Sequence, residues 1–254
     1  MLDVKSLFSG YSGIDVIKDI SLNVRRGEVL AVIGPNGCGK TTLLKALARL
    51  LPYRGSIVLE GKEISAFSRK DLAKKIGLLA QSADVYFPYT VYDTVSLGRF
   101  PHSTSSLKGL SNEDKEMIYE ILGKLELLCV KDRQINELSG GQLQRVFLAR
   151  VLVQNTDLIL LDEPTNHLDL KHQVELLEYL GAWAKEQNRA VVAVLHDLNL
   201  ARRYADTAIL LNQGLVLSSG DCNFVLSEEI LHTAYGINIK RYMLDSLEKW
   251  TMDS

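Results

Sequence analysis

Residues 34–42 read GPNGCGKTT and lie between the apolar run VLAVI at residues 29–33 and the segment LLKAL at residues 43–47. This order predicts a strand, a glycine-rich loop and a helix, which is the setting that a phosphate-binding loop requires. The glycines let the backbone curl so that several N–H groups point at phosphate oxygens, and the helix N-terminus adds a partial positive charge. A glycine-rich turn with a chance lysine is the alternative, and the full G-x-x-x-x-G-K-T spacing disfavours it.

Two side chains of this loop are expected to contact the nucleotide. Lys40 is placed to reach the β- and γ-phosphates, and the Thr41 hydroxyl is placed to bind Mg²⁺. The sequence therefore predicts a nucleotide-binding protein of the α/β class.

Two further motifs indicate which kind of nucleotide-binding protein this is. LSGGQ stands at residues 138–142, and LILLDE follows at residues 158–163. The apolar run predicts a buried parallel strand that carries Asp162 and Glu163 at its C-terminal end, where open α/β sheets bind ligands. Asp162 is placed to hold Mg²⁺, and Glu163 to orient or deprotonate the attacking water. Taken singly, LSGGQ could be a helix-initiating turn and Asp-Glu a solvated strand end, but the order of the three motifs disfavours chance.

Polar residues also follow two other predicted strands. Gln81 comes after residues 76–80, and His196 comes after residues 191–195. Polar strand ends are common, and a lone histidine in this position is more often a neighbour of a helix cap than a catalytic group. Because the C-terminal ends of parallel strands meet at one edge of the sheet, we expect both side chains near the phosphate loop.

The composition is that of an ordinary globular protein. The chain has 254 residues, 46% hydrophobic and 24% charged, with a net charge of −2. No basic stretch resembles a nucleic-acid footprint, no apolar run approaches about 18 residues, and the N-terminus has no signal-peptide pattern. The three cysteines have no metal-ligand spacing, which favours free thiols in a reducing compartment. We expect no nucleic-acid partner.

The order of predicted elements indicates one compound domain, residues 1–254. Strands alternate with helices in residues 1–81 and 156–254, the expected α/β core, with N-terminal strands at residues 1–8 and 20–24 forming an antiparallel β region. Residues 82–155 are predicted to form an inserted helical subdomain that ends with LSGGQ. Within it, Ser111 and Asp114 form a capping box at the start of a helix.

A cluster of aromatic residues and prolines follows Gln81. Its members are Phe87, Pro88, Tyr89, Phe100 and Pro101. The cluster could be a docking groove for a partner or ordinary local packing, and the sequence leaves both open.

With these motifs the chain resembles the ATP-binding cassette (ABC) ATPases along nearly its whole length. The matching segments are Tyr11 for the adenine-stacking aromatic, residues 34–42 for Walker A, Gln81 for the Q-loop, residues 138–142 for the signature, residues 158–163 for Walker B, residues 166–169 for the D-loop and His196 for the switch histidine. The fold implied is a P-loop NTPase core with an N-terminal antiparallel β region and an inserted helical subdomain.

The resemblance implies ATP and Mg²⁺ as cofactors and assigns the site residue by residue. It assigns catalysis to Glu163 and His196. The expected ATP-binding residues are Tyr11, Gly34, Pro35, Asn36, Gly37, Cys38, Gly39, Lys40, Thr41 and Thr42. The expected Mg²⁺ ligands are Thr41, Gln81 and Asp162.

The chain has one phosphate loop and one LSGGQ motif, which in the family fold lie too far apart to meet on one ATP within a subunit. The resemblance therefore implies a head-to-tail dimer with two ATP molecules between the subunits. The residues expected to bind ATP in trans are Ser139, Gly140, Gly141 and Gln142.

Four further segments resemble the corresponding sequences of the ATPases of importers for iron–siderophore, haem and vitamin B12. They are residues 89–95, 97–102, 195–201 and 235–236. This resemblance implies transmembrane permease subunits as partners, an extracytoplasmic binding protein as an indirect partner, and a location on the cytoplasmic face of the cell membrane. An importer of another cargo is the alternative.

Non-transport functions fit less well. A DNA-repair or chromosome-structure ATPase would carry a long coiled coil between Walker A and LSGGQ, for which residues 43–137 leave no room. A translation-factor type would carry two cassettes and basic segments. A simple P-loop kinase would not need LSGGQ.

The cysteines also give an expectation. Cys38 lies inside the phosphate loop, where inward-pointing amides and a helix N-terminus should lower the pKa of its thiol and make it reactive. Cys129 follows an apolar helical run and is expected to be buried and inert, and Cys222 has no cationic neighbour.

Overall fold

The computed structural model describes residues 1–80, 89–103 and 109–251, with side chains up to residue 248. Gln81, Phe87 and Pro88 therefore lie outside the described residues. The strands are β1 Leu2–Tyr11, β2 Ile14–Val24, β3 Val29–Ile33, β4 Tyr53–Leu59, β5 Lys62–Glu63, β6 Ile76–Leu79, β7 Leu158–Asp162, β8 Ala190–Val194, β9 Thr207–Asn212 and β10 Leu215–Asp221. The helices are α1 Lys40–Leu47, α2 Arg69–Ala73, α3 Val91–Ser96, α4 Asn112–Lys124, α5 Gly140–Val153, α6 Leu170–Glu186, α7 Leu198–Tyr204, α8 Cys222–Val225, α9 Glu228–Tyr235 and α10 Ile239–Thr251.

The N-terminal strands form an antiparallel sheet, as the sequence predicts, and the strand order is β2-β1-β4-β5. Both long strands extend further than expected, because β1 continues to Tyr11 and β2 begins at Ile14. Tyr11 is thus the last residue of a strand rather than part of a loop. Register shifts between Val4 and Leu7 and again up to Gly10 interrupt the alternation of buried and exposed residues, and this irregularity hides the true strand length from a pattern analysis.

The main sheet has the order β10-β9-β3-β8-β7-β6. The pairs from β9 to β6 are parallel, and β10 is antiparallel to β9. β3, β7 and β8 are buried at every position. Strands covered on both faces need continuous apolar sequence, which is why the runs at these three strands are so recognisable.

Alternate residues of the buried strands enter two separate cores. Ala31 and Ile33 of β3 pack with the helices, whereas Leu30 and Val32 pack with α1 and the antiparallel sheet. The molecule therefore has three layers, with the six-stranded sheet in the middle. This arrangement confirms the predicted α/β class.

Helices α3, α4 and α5 follow one another between β6 and β7 in the described part of the chain. Ser111 and Asp114 form the expected capping box at the start of α4. Phe147, Val151 and neighbouring residues of α5 join the core on the helical side of the sheet. The helical insertion is present, and its bounds at residues 82 and 155 stay a prediction.

Gln213 and Gly214 form the turn between β9 and β10. Gln213 and Gly214 both have positive φ, 50° and 81°, as a two-residue type I′ hairpin turn requires. Nowhere in residues 1–80, 89–103 and 109–251 is there a helix with the length and apolar character to cross a membrane.

Candidate functional site

The phosphate loop connects the C-terminal end of β3 to the start of α1. Gly39, with φ of 107°, is the residue that precedes the helix, and Lys40 is its first residue. The Lys40 side chain is only 6% exposed. Its Nζ donates to the Gly34 carbonyl at 2.8 Å and to the Pro35 carbonyl at 3.0 Å. The ammonium is therefore held inside the loop, close to the N–H groups at the helix N-terminus, where an anion is stabilised most.

A cleft of about 640 Å³ opens in front of this loop. It brings together the end of β1, the loop, and residues that follow β7 and β8. Tyr11 stands at its rim, 45% exposed, with Lys45 Nζ at 5.9 Å from its ring centroid. The lining residues are Tyr11, Val16, Asn36, Gly37, Gly39, Lys40, Thr41, Thr42, Glu163, Asn166 and His196.

Asp162 is the buried carboxylate beside the loop, 2% exposed at the end of β7. Burial raises the pKa of this carboxyl above its usual value, and the charge of Glu163 adds to the effect, while a hydrogen bond from the Thr41 hydroxyl and the nearby Lys45 and Lys40 oppose it. Its Oδ1 is buried and has no hydrogen-bond partner within the described part of the chain. A buried carboxylate oxygen without a partner is costly.

These observations fit a divalent cation. Mg²⁺ prefers hard oxygen ligands and is usually held by one or two protein groups together with phosphate oxygens and water. The unpartnered Asp162 oxygen and the adjacent Thr41 hydroxyl supply such donors. The third expected ligand, Gln81, lies outside the described residues.

Glu163 is held at both carboxylate oxygens. Its Oε1 lies 2.5 Å from His196 Nε2, and its Oε2 accepts a hydrogen bond from Asn166 Nδ2. The backbone of Glu163 has φ of 54°, a left-handed conformation that is strained for a residue with a side chain. The strained turn aims the carboxylate into the cleft, and the two polar neighbours fix its direction.

Asn166 was assigned to the D-loop by resemblance, but its contact with Glu163 was not foreseen. The signal for this contact is weak: an amide three residues after the carboxylate, in a turn whose Asn166 N–H donates to the Glu163 carbonyl at 3.2 Å. A position in such a turn could equally have left the side chain in solvent.

Ser139 is the N-cap of α5. Its hydroxyl accepts from the Gln142 N–H at 3.3 Å, and Gln142 Oε1 accepts from the Ser139 N–H at 3.1 Å, which makes a complete capping box. A second cleft, of about 480 Å³, opens at this helix N-terminus. Its lining residues are Ser139, Gly140, Gly141, Gln142, Arg145, His167, Leu168, Asp169 and His172.

Among the residues that the structure describes, none lines both clefts. The four signature residues line one cleft. The other is lined by Glu163, His196 and part of the phosphate loop, namely Asn36, Gly37, Gly39, Lys40, Thr41 and Thr42, but not by Gly34, Pro35 or Cys38. Neither cleft alone contains all the expected ATP-binding groups.

The segment between Glu163 and His167 touches both clefts. His167 has φ of 62°, and its carbonyl oxygen would lie 2.9 Å from a Cβ on Gly141. A side chain at Gly141 would therefore press on backbone. This close approach ties the signature to the turn that carries Asn166 and Glu163.

The structure contradicts the lowered pKa expected for Cys38, the burial expected for Cys129 and the lack of a cationic neighbour expected for Cys222, whose pKa Arg202 acts to lower. Cys38 is 4% exposed, and burial raises the pKa of its thiol, although Lys40 acts in the opposite direction. Cys129 is exposed, and Cys222 is buried with a pKa raised to about 11. The backbone amides of Lys40 and Cys38 also lower the pKa of the Cys38 thiol, but burial has the larger effect because the Cys38 side chain lies in the protein interior.

Tyr89 and Phe100 of the aromatic cluster line a groove of about 1010 Å³ between α3 and the start of α4. Tyr89 is 48% exposed and Phe100 is 68% exposed. Among the residues that line the groove, Arg99 Nε donates a hydrogen bond to Asp114 Oδ1 at 2.5 Å. Local packing therefore leaves much of the aromatic surface uncovered.

A central phosphate loop beside two carboxylates at one sheet edge defines a nucleotide-binding α/β protein. The family model described as "ABC transporter" matches residues 17–166. The chain belongs to the ABC transporter family of ATP-binding proteins.

Individual relatives agree with the family. The chain is 40% identical over 238 residues to the iron(3+)-hydroxamate import ATP-binding protein FhuC of Bacillus subtilis (strain 168), covering 93% of this chain and 88% of FhuC. It is 38% identical over 234 residues to the ferric enterobactin transport ATP-binding protein FepC of Escherichia coli (strain K12), covering 92% and 86%.

Solved structures give the same picture. The dimeric cassette MJ0796 superposes with a TM-score of 0.77 at 30% identity, covering 87% of this chain and 99% of that one. Its post-hydrolysis state bound to ADP and Pi gives a TM-score of 0.76 with the same identity and coverage. The chain is therefore an ABC ATPase in fold and family.

Proposed function

We propose that this protein is the ATP-hydrolysing subunit of a membrane importer for iron–siderophore complexes. The observation that carries the ATPase part is Glu163, a carboxylate held by His196 and Asn166 at the mouth of the phosphate-loop cleft. The cargo part is supported by relatives named for iron–hydroxamate and ferric enterobactin transport. Import of haem, cobalamin or another cargo is the alternative.

ATP would lie across the cleft with its base on the exposed Tyr11 ring and its phosphates in the loop of residues 34–42. Lys40 would exchange its two carbonyl contacts for phosphate oxygens, since its ammonium already lies at that point. Thr41 and Asp162, with Gln81, would hold Mg²⁺, which when bound neutralises charge on the phosphates.

Glu163 would accept a proton from the attacking water. One carboxylate oxygen must be available for this step, so a contact to His196 or Asn166 has to loosen when water and the γ-phosphate are in place. The remaining contact keeps the carboxylate aimed at the reacting oxygen. General-base catalysis of this kind contributes about 10²–10⁴-fold to a rate.

A head-to-tail dimer would complete each site. Ser139, Gly140, Gly141 and Gln142 of one copy would face the phosphate loop of the other, which brings the two separate clefts together on one ATP. The helix N-terminus at Ser139 is suited to the γ-phosphate because it offers free N–H groups and a partial positive charge. Dimeric structures of a relative support this arrangement.

The exposed aromatic groove near Tyr89 and Phe100 is the surface that we assign to a permease subunit. The protein would be held at the cytoplasmic face of the membrane through this contact, and an extracytoplasmic binding protein would act through the permease.

Copurification with the permease subunits of a siderophore importer from the same organism tests the proposal. The complex in vesicles should hydrolyse ATP faster when binding protein loaded with a ferric siderophore is added, and an unloaded binding protein should have a smaller effect. Glu163→Gln in the same complex should abolish the stimulated hydrolysis. If a binding protein loaded with a sugar or an amino acid stimulates hydrolysis instead, the proposed cargo would be rejected, but the proposed ATPase activity would stand.

A genetic test addresses the cargo independently. Deletion of the gene should slow growth when a ferric siderophore is the only iron source, and plasmid-borne Lys40→Ala should not restore it. Normal growth under iron limitation, and with haem or vitamin B12 as the required nutrient, would count against metal-chelate import altogether.

A further inference from the structure

The turn between β9 and β10 contacts the phosphate loop from behind. The Gly214 N–H donates to the Cys38 carbonyl at 3.1 Å, and the Gly214 carbonyl accepts from the Lys18 N–H of β2 at 2.8 Å. One residue therefore joins the middle of the phosphate loop to the strand that runs along the rim of the cleft. Both contacts use backbone groups, so they depend on the path of the turn rather than on a side chain.

Only glycine fits at this position. Gly214 has φ of 81°, and a Cβ there would lie 2.1 Å from the Val16 carbonyl oxygen. Val16 itself lines the nucleotide cleft. A side chain at residue 214 would push the turn away from β2 and take the Cys38 contact with it.

Tyr235, the last residue of α9, lies near the beginning of the same loop. The Gly34 backbone amide lowers the pKa of its hydroxyl, and the Cys38 thiol raises it. Burial raises the pKa of this phenol, so the hydroxyl is neutral at physiological pH. The ring packs on the helical side of the core, and Gly236 in the left-handed conformation ends the helix at this point.

Within residues 1–80, 89–103 and 109–251, neither Gly214 nor Tyr235 lines the nucleotide cleft. Both also lie beyond residues 17–166, the range that the family model matches. They reach ATP only through the loop, one at Gly34 and the other at Cys38.

We infer that Gly214 and Tyr235 are positioning residues that hold the phosphate loop in its anion-binding shape from the side opposite the nucleotide. This inference rests on the proposed ATPase function. Fixing the loop before ATP arrives removes an ordering cost from binding, so the two residues act on nucleotide affinity. The chemistry at Glu163, on a different strand, does not pass through them.

Steady-state kinetics and nucleotide binding of purified variants test the inference. Tyr235→Phe keeps the ring and removes the hydroxyl, so KM for ATP and the Kd of a fluorescent ATP analogue should rise about two- to tenfold, with little change in kcat. Gly214→Ala should raise KM for ATP and the Kd of the analogue by about tenfold or more. Gly61→Ala is the matched control, because Gly61 has φ of 79° with nothing within 4 Å of a Cβ.

The outcomes separate the inference from the function on which it rests. The proposed function would be rejected if the wild-type protein binds no ATP, or if Lys40→Ala binds ATP as tightly as the wild type. The positioning role alone would be rejected if the wild type binds ATP but the variants show no loss of affinity. In that outcome Tyr235→Phe has the KM and Kd of the wild type, and Gly214→Ala has those of Gly61→Ala. A thermal melt without nucleotide shows whether Gly214→Ala folds. If Gly214→Ala does not fold, the result for Tyr235→Phe tests the inference. A fall in kcat of Tyr235→Phe without a change in KM would also overturn it.

Discussion

Replacing Glu163 by glutamine removes the proposed base and keeps the shape of the side chain. In the protein, one oxygen of Glu163 faces His196 Nε2 and the other accepts from Asn166 Nδ2. The amide nitrogen of a glutamine must face one of these two groups, so at least one contact is lost. The strained backbone, with φ of 54°, stays because the new residue also has a Cβ.

The size of the effect follows from these contacts. General-base catalysis is worth about 10²–10⁴-fold in rate, which corresponds to about 3–5 kcal/mol of barrier. We therefore expect kcat to fall by about 10²–10⁴-fold. ATP affinity should change less than about threefold, because the phosphates are held by the loop and by Lys40 rather than by this carboxylate.

Phosphate release under steady-state conditions measures kcat, and a fluorescent ATP analogue measures affinity. Size-exclusion chromatography with Mg-ATP should show that the variant accumulates as a dimer, since ATP stays uncleaved between the subunits. Glu120→Gln is a suitable control, because Glu120 is an exposed partner of Lys124 on α4. Turnover of Glu163→Gln within tenfold of wild type would exclude Glu163 as the base.

Three more outcomes are expected. Lys40→Ala should weaken ATP binding by about 1.5–3 kcal/mol, the usual value of a charge-assisted contact, in an equilibrium titration. Ser139→Arg should leave ATP binding to the monomer intact but prevent the dimer, and mixing it with Lys40→Ala should restore one composite site per heterodimer; an ATP-closed Ser139→Arg dimer would contradict the composite site. Maleimide should label exposed Cys129 before buried Cys38 or Cys222 by peptide mapping, and earlier labelling of either buried thiol would show that the interior opens at the loop.

The order of the main elements could be predicted because it is encoded in continuous local patterns. The runs that became β3, β7 and β8 are apolar at almost every position, since both faces of each strand are covered. The phosphate loop and the Ser111 capping box depend on neighbouring residues only. Signals of this kind survive without any knowledge of the tertiary structure.

The extent of β1 and β2 could not be predicted in the same way. Bulges shift the side chains of β1 from one face to the other, and Ser6, with φ of 47°, lies at such a shift. A period of two, read along the sequence, therefore breaks before the strand ends.

Side-chain direction in the loops was the other source of error. The Cys38 thiol was expected to be reactive at the loop, yet it enters the protein interior, where burial outweighs the effect of Lys40 and raises its pKa. Cys129 follows the leucine-rich segment LELL at residues 125–128, but α4 ends at Lys124 and a 3-10 turn then carries Cys129 to the surface. Contacts such as Asn166 with Glu163 and Gly214 with Cys38 have no local signature, because turn geometry and long-range packing create them.

The central position of β3 has a consequence for how the chain is made. β3 leads into the phosphate loop, and its neighbours in the sheet are β8 and β9. Val29 pairs with Val191, and Ile33 pairs with Leu210. During synthesis β3 therefore has neither neighbour until the chain has grown past β8, and it has both only after β9 is made. Such long-range parallel pairing is slow. ATP would stabilise only the completed fold, because the site does not exist before β3 has its neighbours. At 100 times its Kd, ATP would add about 2.7 kcal/mol to the stability of the finished fold and nothing to that of a nascent chain.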